Sequence, residues 1–321
     1  MNSADYLKGL GDKKILVIGD VMLDEYVNGE VTRISPEAPA PILDLVSRAV
    51  FPGGAANTAS NVKSFDVDVH IIGVIGDDDA GKRLTTILKK KGINTDGLYT
   101  DTGRPTTLKT RIMSGNHQIV RVDEENREDI SLELVKKIIA HASKLLPEID
   151  AVIISDYNKG VINHKLLDKL IPVIKESGKP IVVDSKVKDY AGYRGVTVIT
   201  PSKAELGAAT GIRMINQTSL RNAALKALSQ LECEAVLANL EKEGVYLFEK
   251  NGGLTHMPQK NREVYDVVGV RDAIVSVFTL ALTKGASMKE AAKLAGCAAE
   301  VVSGKPGSST ITIDEIIENL K

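Results

Sequence analysis

Tryptophan is missing from this 321-residue chain, and phenylalanine and tyrosine together hold the aromatic share to 4%. So few rings argue against a platform that stacks unpaired nucleic-acid bases. An excess of either charge is lacking too. The formal net charge of −1 gives no electrostatic pull toward a phosphate backbone or an anionic bilayer. Cysteine is almost absent: Cys233 and Cys297 stand far apart and outside any CxxC spacing, so neither a zinc site nor a disulfide framework is indicated. A reducing cytoplasmic compartment is the simplest setting for such a chain. Long hydrophobic runs are also missing. Stretches such as DAIVSVFTLALTKG fall short of the ~20 residues that span a bilayer, and the polar Met1–Asp12 segment has no apolar core of a secretory signal. The expectation is a soluble cytoplasmic protein that binds neither nucleic acid nor membrane.

What the chain does have is a strand–helix rhythm. KKILVIGD is a continuous apolar run flanked by charge, as a strand buried on both faces requires. Similar runs recur at VHIIGVIG, DAVIISDY, KPIVVDSK, VTVITPSK and EAVLANLE. Between them lie helical patterns such as AGKRLTTILKKKG, LELVKKIIAHASKLL and HKLLDKLIPVIKESG, several closed by the glycine that suits a helix C-terminus. This alternation predicts an α/β fold with a doubly wound, mostly parallel sheet flanked by helices. Two stretches, about 25–46 and 98–125, instead alternate apolar and polar residues around Gly, Pro and Asn turns, which are antiparallel signals. They predict a small β-sheet lid over one edge of the core. With no linker, low-complexity run or repeat, 1–321 reads as a single domain.

Ligands of open α/β sheets bind beyond the carboxyl ends of the strands. Asp20, Asp24, Asp156, Asp184, Glu205 and the 266–272 turn are expected there. In PGGAANTASN, Gly53 and Gly54 permit a tight turn and close backbone approach, and Asn57 follows on the first turn of a helix; a plain turn before a small-residue helix is the alternative. In PTTLKTRIMSGNHQIVRVDEE, Lys109 and Arg111 share a strand face and Arg121 lies on the partnering strand. Three such cations could hold an anionic group or form a solvated hairpin paired with Asp123 and Glu124. Glu205, early in a helix, could hold water on magnesium or simply stabilise the helix start. In DVVGVRDAIVS, Gly269 permits a turn whose following amides, from Val270, Arg271 and Asp272, point out of a helix N-terminus as an anion site. Asp272 there could take the proton of an attacking hydroxyl or serve only as an N-terminal stabiliser.

Taken together, VIGDVMLDEY, RISPEAPAPI, PGGAANTASN, PTTLKTR, QIVRVDEE, SDYNKGV and GKPGSSTIT resemble the ribokinase-like (PfkB) family of sugar kinases nearly end to end. Within it the group that phosphorylates heptose 7-phosphate for ADP-heptose and lipopolysaccharide precursors is most similar. The resemblance implies an ATP- and Mg²⁺-dependent kinase, with a monovalent cation as a further option, and a β lid that often pairs two subunits into a homodimer. It implies sugar contacts at Asp24, Gly53, Gly54 and Asn57, with Lys109 and Arg111 as partners of the sugar phosphate. Nucleotide contacts would fall on Ser202, Asn239, Glu241 and Gly244, and Glu205 would hold the metal through water. Asp272 would be the base acting on the anomeric hydroxyl, with the amides of 269–272 offsetting charge on the transferred group. Bifunctional members carry a nucleotidyltransferase with a His-x-Gly-His motif after the kinase; no such segment is read in this sequence, so the kinase half alone is expected.

The departures from the family fall on one side. Gly269-Val270-Arg271-Asp272 stands where the family has Gly-Ala-Gly-Asp, and a residue other than glycine at the third position adds bulk where a glycine-only conformation is expected. Ser202 replaces the usual Asn, Asn239-Leu240-Glu241-Lys242 replaces Thr-x-Gly/Ser-Glu, and Asp184-Ser185-Lys186 replaces Asp-Pro-Lys. The sugar side keeps its pattern. Two expectations follow: Arg271 acts as a built-in cation on the transferring phosphate, or it fills the anion site and leaves a silent sugar-phosphate binder with a regulatory or pairing role. A nicotinamide dehydrogenase fits less well, because VIGDVMLD lacks the G-x-G-x-x-G turn.

Overall fold

The computed structural model describes residues 3–259, 269–305 and 309–320. The expected strand end at 266–268 and the 306–308 part of GKPGSSTIT lie outside the described residues. The first third of the chain forms β1 (Lys14–Gly19), β2 (Val21–Ile34), β3 (Pro41–Gly54), α1 (Ala55–Lys63), β4 (Asp68–Ile75), α2 (Asp79–Lys90) and β5 (Asn94–Thr100). Next come β6 (Thr107–Ser114), β7 (His117–Glu124), α3 (Leu132–Leu145), β8 (Ala151–Asp156), α4 (His164–Glu176), β9 (Ile181–Ser185), β10 (Val198–Ile199) and α5 (Lys203–Thr210). The remainder forms α6 (Gln217–Leu231), β11 (Ala235–Asn239), β12 (Val245–Glu249), β13 (Leu254–Met257), α7 (Val270–Thr283), α8 (Met288–Ser303) and α9 (Ile313–Asn319).

The main sheet runs in the order β13-β12-β11-β10-β9-β8-β1-β4-β5, parallel from β11 to β5 and antiparallel at the β12 and β13 edge. Side chains alternate across a strand, and β1 shows the consequence. Ile15 and Val17 enter the core layer with α1, α2, α7 and α8, while Leu16 and Ile18 enter the opposite layer with α3, α4 and α6. A strand buried on both faces has no room for polar residues, which is why these segments read as unbroken apolar runs.

The four-stranded second sheet has the order β3-β2-β6-β7, with β2 and β6 parallel and the outer pairs antiparallel. It spans more of the chain than the alternation indicated on one side, because β2 starts directly after Asp20 and β3 runs on to Gly54. On the other side, residues 98–100 belong to β5 and pair with β4 in the main sheet. The β12–β13 hairpin adds an antiparallel edge beyond the expected strands, turned by Asn251-Gly252-Gly253 between two short apolar runs.

Candidate active site

The sheet's order reverses at β1, which has β4 on one side and β8 on the other; such a switch point opens a crevice beyond the strand ends. Asp20 follows β1, Asp156 ends β8, and Asp184 stands one residue before the end of β9. Asp20 is buried and accepts from the backbone N–H groups of Tyr157, Lys159 and Val161. Burial and the neighbouring Asp156 push its carboxyl above the usual range, against those N–H donors. Its role here is to pin the loop after β8, which presents Tyr157 and Lys159 to the crevice.

Gly53 and Gly54 close the end of β3 against β2. A Cβ at Gly53 would lie 2.4 Å from Asp24 Oδ2, and one at Gly54, whose φ is +55°, would lie 2.5 Å from the Asp20 carbonyl. Neither position has room for a side chain. The turn delivers α1, and α1 delivers Asn57 and Thr58 to α7.

Asp272, on the first turn of α7, is buried and receives three side-chain donors. Asn57 Nδ2 donates to its Oδ2 at 2.6 Å, and Thr58 Oγ1 and the Tyr157 hydroxyl donate to its Oδ1 at 2.9 Å each. Burial and the Asp184 charge raise its pKa, opposed by Lys186, Asn57 and Tyr157. Lys186 lies over the Tyr157 ring, 3.8 Å from its centroid, and burial lowers the pKa of its ammonium. Sequence reasoning singled out Asp272 and Asn57 and named Lys186 only within a departing motif, but it missed Thr58, Tyr157 and Lys159 as site residues. Tyr157, Lys159 and Lys186 sit at strand ends inside SDYNKGV and DSK, a positional signal that could have marked them.

Asp272 faces a cavity of about 380 Å³ under the second sheet. Its walls carry Lys109, Arg111, Arg121, Lys159, Lys186 and Arg271 against the carboxylates of Asp24 and Asp272. The cations are held by acids at the rim. Arg111 Nη1 pairs with Asp24 Oδ1 at 2.6 Å, and Glu125 binds Lys159 at 2.6 Å and Lys109 at 3.3 Å. Burial works to raise the Glu125 pKa, but the Lys159 and Arg127 hydrogen bonds and the Lys109 charge pull it down to about 2. Lys109 and Arg111 do share the cavity face, and Arg121 lies directly opposite Arg111 in the β6–β7 register.

A second cavity of about 600 Å³ lies on the other side of the α7 start. Ser202, Asn239, Glu241, Gly244 and Val270 are all on its wall. Ser202 caps α5 in a reciprocal box with Glu205 and bridges to Asn239. Such a box contributes about 1 kcal/mol to the helix end. The cavity has the size and mixed apolar and polar lining of a small-molecule site.

Arg271 lies on the wall of both cavities. The expected steric conflict at this position does not arise: Gly269, at φ +81°, takes the left-handed turn, and Val270 and Arg271 are already inside the helix, where any residue fits. The guanidinium turns to acids. Nη1 donates to Glu205 Oε1 at 2.6 Å, and Nη2 donates to Asp184 Oδ1, the Thr200 carbonyl at 3.1 Å and the Ser185 carbonyl at 3.3 Å. Burial opposes the arginine's charge, yet Asp184 and Glu205 outweigh it and raise the pKa further. Glu205 Oε2 meanwhile accepts from its own cap, the Ser202 N–H, at 2.8 Å. With Arg271 so placed, the residues present do not fit a magnesium ion held through Glu205. Among the described residues no group of three or more His, Cys, Asp or Glu is arranged to hold a metal.

The sequence pattern of the pfkB family carbohydrate kinases matches residues 12–315. A protein named "Bifunctional protein HldE" from Desulfatibacillum aliphaticivorans is 41% identical over 308 residues, covering 96% of this chain and 63% of that protein. The protein of the same name from Helicobacter pylori strain HPAG1 is 41% identical over 304 residues, covering 95% of this chain and 65% of that protein. The chain thus spans a little under two thirds of the length of these relatives. In fold it is similar to Arabidopsis thaliana ribokinase complexed with ribose and ATP, at a TM-score of 0.77 and 18% identity over 96% of this chain and 99% of that one. Phosphofructokinase-2 from Escherichia coli in complex with potassium gives 0.77 and 16% over 95% and 97%.

Proposed function

The chain belongs to the pfkB family of carbohydrate kinases, and from that premise we propose that it transfers the γ-phosphoryl group of ATP to the anomeric hydroxyl of a sugar phosphate. Heptose 7-phosphate is the acceptor we favour, which would place the reaction in the supply of ADP-heptose for lipopolysaccharide precursors. The observation that carries the reading is the junction. A cation-rich cavity with a buried carboxylate and a larger cavity of cofactor size share the Arg271 wall at the start of α7. Cations on this wall sit in ion pairs, Arg111 with Asp24, Lys109 and Lys159 with Glu125, Arg121 with Asp123 and Arg271 with Asp184 and Glu205. An acceptor phosphate would join them as a further anionic partner.

In the reaction, an Asp272 oxygen takes the proton of the acceptor hydroxyl, the hydroxyl oxygen bonds to the γ-phosphorus, and the bond to the β-phosphate oxygen breaks to release ADP. Asn57, Thr58 and Tyr157 hold the carboxylate in place for that step. The amides at the α7 start face the charge that builds on the transferred group. ATP fits the larger cavity, where Ser202, Asn239, Glu241 and Gly244 would border it. Magnesium enters this scheme with the nucleotide, as MgATP substrate. We place the protein in the cytoplasm; no helix among the described residues is long and apolar enough to cross a membrane.

A second reading, a silent sugar-phosphate binder, draws on the same contacts: with its Nη groups on Asp184 and Glu205, the Arg271 guanidinium is not turned toward a transferring phosphate. ADP release measured with heptose 7-phosphate and with the same heptose lacking its phosphate separates the two. The kinase reading expects a kcat/KM about 10²-fold or more higher for the phosphorylated sugar, as two charge-assisted bonds would give. Binding of the sugar phosphate with no ADP release leaves the silent binder; equal rates for both sugars contradict the cationic-pocket argument.

A further inference from the structure

The oxygens around the Arg271 guanidinium form an unusual set. The carboxylates of Asp184 and Glu205 and the carbonyls of Ser185 and Thr200 converge on its two terminal nitrogens. Such an all-oxygen set, with two charges and two carbonyls, is what hard divalent cations take. Asp184 is 1% exposed, and its Oδ2 has no hydrogen-bond partner among the described residues. A buried carboxylate oxygen without a donor is costly, which leaves Asp184 dependent on the cation that meets its other oxygen.

We propose that the Arg271 guanidinium is the resident cation of the Asp184–Glu205 pair, standing where a divalent metal ion would bind if position 271 were glycine. A planar guanidinium can meet two carboxylates at once and never loses its charge. It brings one positive charge to a pair that carries two negative ones, so the cluster stays net acidic. Arg271 then neither plugs the anion site nor acts as a finger on the phosphoryl group. It supplies charge at the junction from within the chain, and the nucleotide's own metal need not be shared with Glu205. This consequence for turnover rests on the kinase reading; the cation assignment itself rests on the oxygen cluster alone.

The test uses neither sugar nor nucleotide, so it can fail while the kinase reading stands, and the reverse. The chain is titrated with MnCl₂ and the free-ion electron paramagnetic resonance signal is followed. Arg271→Gly is expected to bind one Mn²⁺ at least about tenfold more tightly than the wild type, and adding Glu205→Gln to that variant is expected to remove the gain. Should Arg271→Gly fail to fold by circular dichroism, Arg271→Gln, shorter and uncharged but still helix-compatible, is read the same way. A folded variant that binds Mn²⁺ no better than the wild type overturns the proposal. So does a gain that survives Glu205→Gln, or wild-type binding that is already tight and lost on Glu205→Gln.

Discussion

At residue scale the proposed chemistry turns on Asp272. A general base must be ionised, and here burial and Asp184 work against ionisation while Lys186 and the Asn57 and Tyr157 donors work for it, leaving the pKa above its ordinary 3.8. The sign follows directly: activity is present above the raised pKa and is lost as pH falls through it, so the acid limb of kcat/KM lies above the usual carboxylate range. Tyr157→Phe removes one donor that favours the charged form. A hydrogen bond to a charged group is worth about 1.5–3 kcal/mol, or about one to two pH units at 1.36 kcal/mol per unit. The acid limb of the variant is therefore expected to move up by about that amount in a pH profile of kcat/KM. A limb that stays put or moves down would show that Tyr157 does not govern this carboxylate.

Among the elements, the second sheet does two jobs. Its β2 and β6 bring Asp24, Lys109 and Arg111 over the crevice, and Glu125 just beyond β7 ties Lys109 to Lys159 of the core. Its outer strand is bare. β7 is exposed along its length, with Val120 and Val122 each 49% exposed, and Ile34, Leu45 and Val46 add apolar surface on β2 and β3. An exposed apolar edge of this kind invites pairing with another strand, and on that ground we propose that two copies join through this sheet. Analytical ultracentrifugation is expected to show a dimer of the 34.4-kDa chain that dissociates on the double change Val120→Asp and Val122→Asp. Wild-type protein sedimenting as a monomer at micromolar concentration would rule the pairing out.

At the scale of the whole molecule, the sheet and its helices were legible because burial on both faces leaves a plain signature, as in KKILVIGD and DAVIISDY. The β12–β13 hairpin was less so, since at a sheet edge the apolar runs are short. The candidate site was legible where a residue carries its own signal: Gly53, Gly54 and Gly269 through turn geometry, Asp272 through its place at a helix start. It was illegible where function depends on partners distant in sequence. Nothing around Arg271 announces that its guanidinium meets Asp184, 87 residues away, and Glu205, 66 residues away. Thr58 reads as one more small residue of α1 until α7 packs against it.

In the proposed reaction a phosphoryl group crosses the Arg271 junction from the larger cavity to an acceptor hydroxyl beside Asp272. Rapid-quench single-turnover transfer from [γ-³²P]ATP to heptose 7-phosphate, in wild type and in Asp272→Asn, tests it most directly. Label is expected on the anomeric oxygen in the wild type, with a transfer rate lower by about 10²–10⁴ in the variant and sugar-phosphate affinity retained. Equal transfer by both proteins, or none by a wild type shown to hold both ligands, would contradict it.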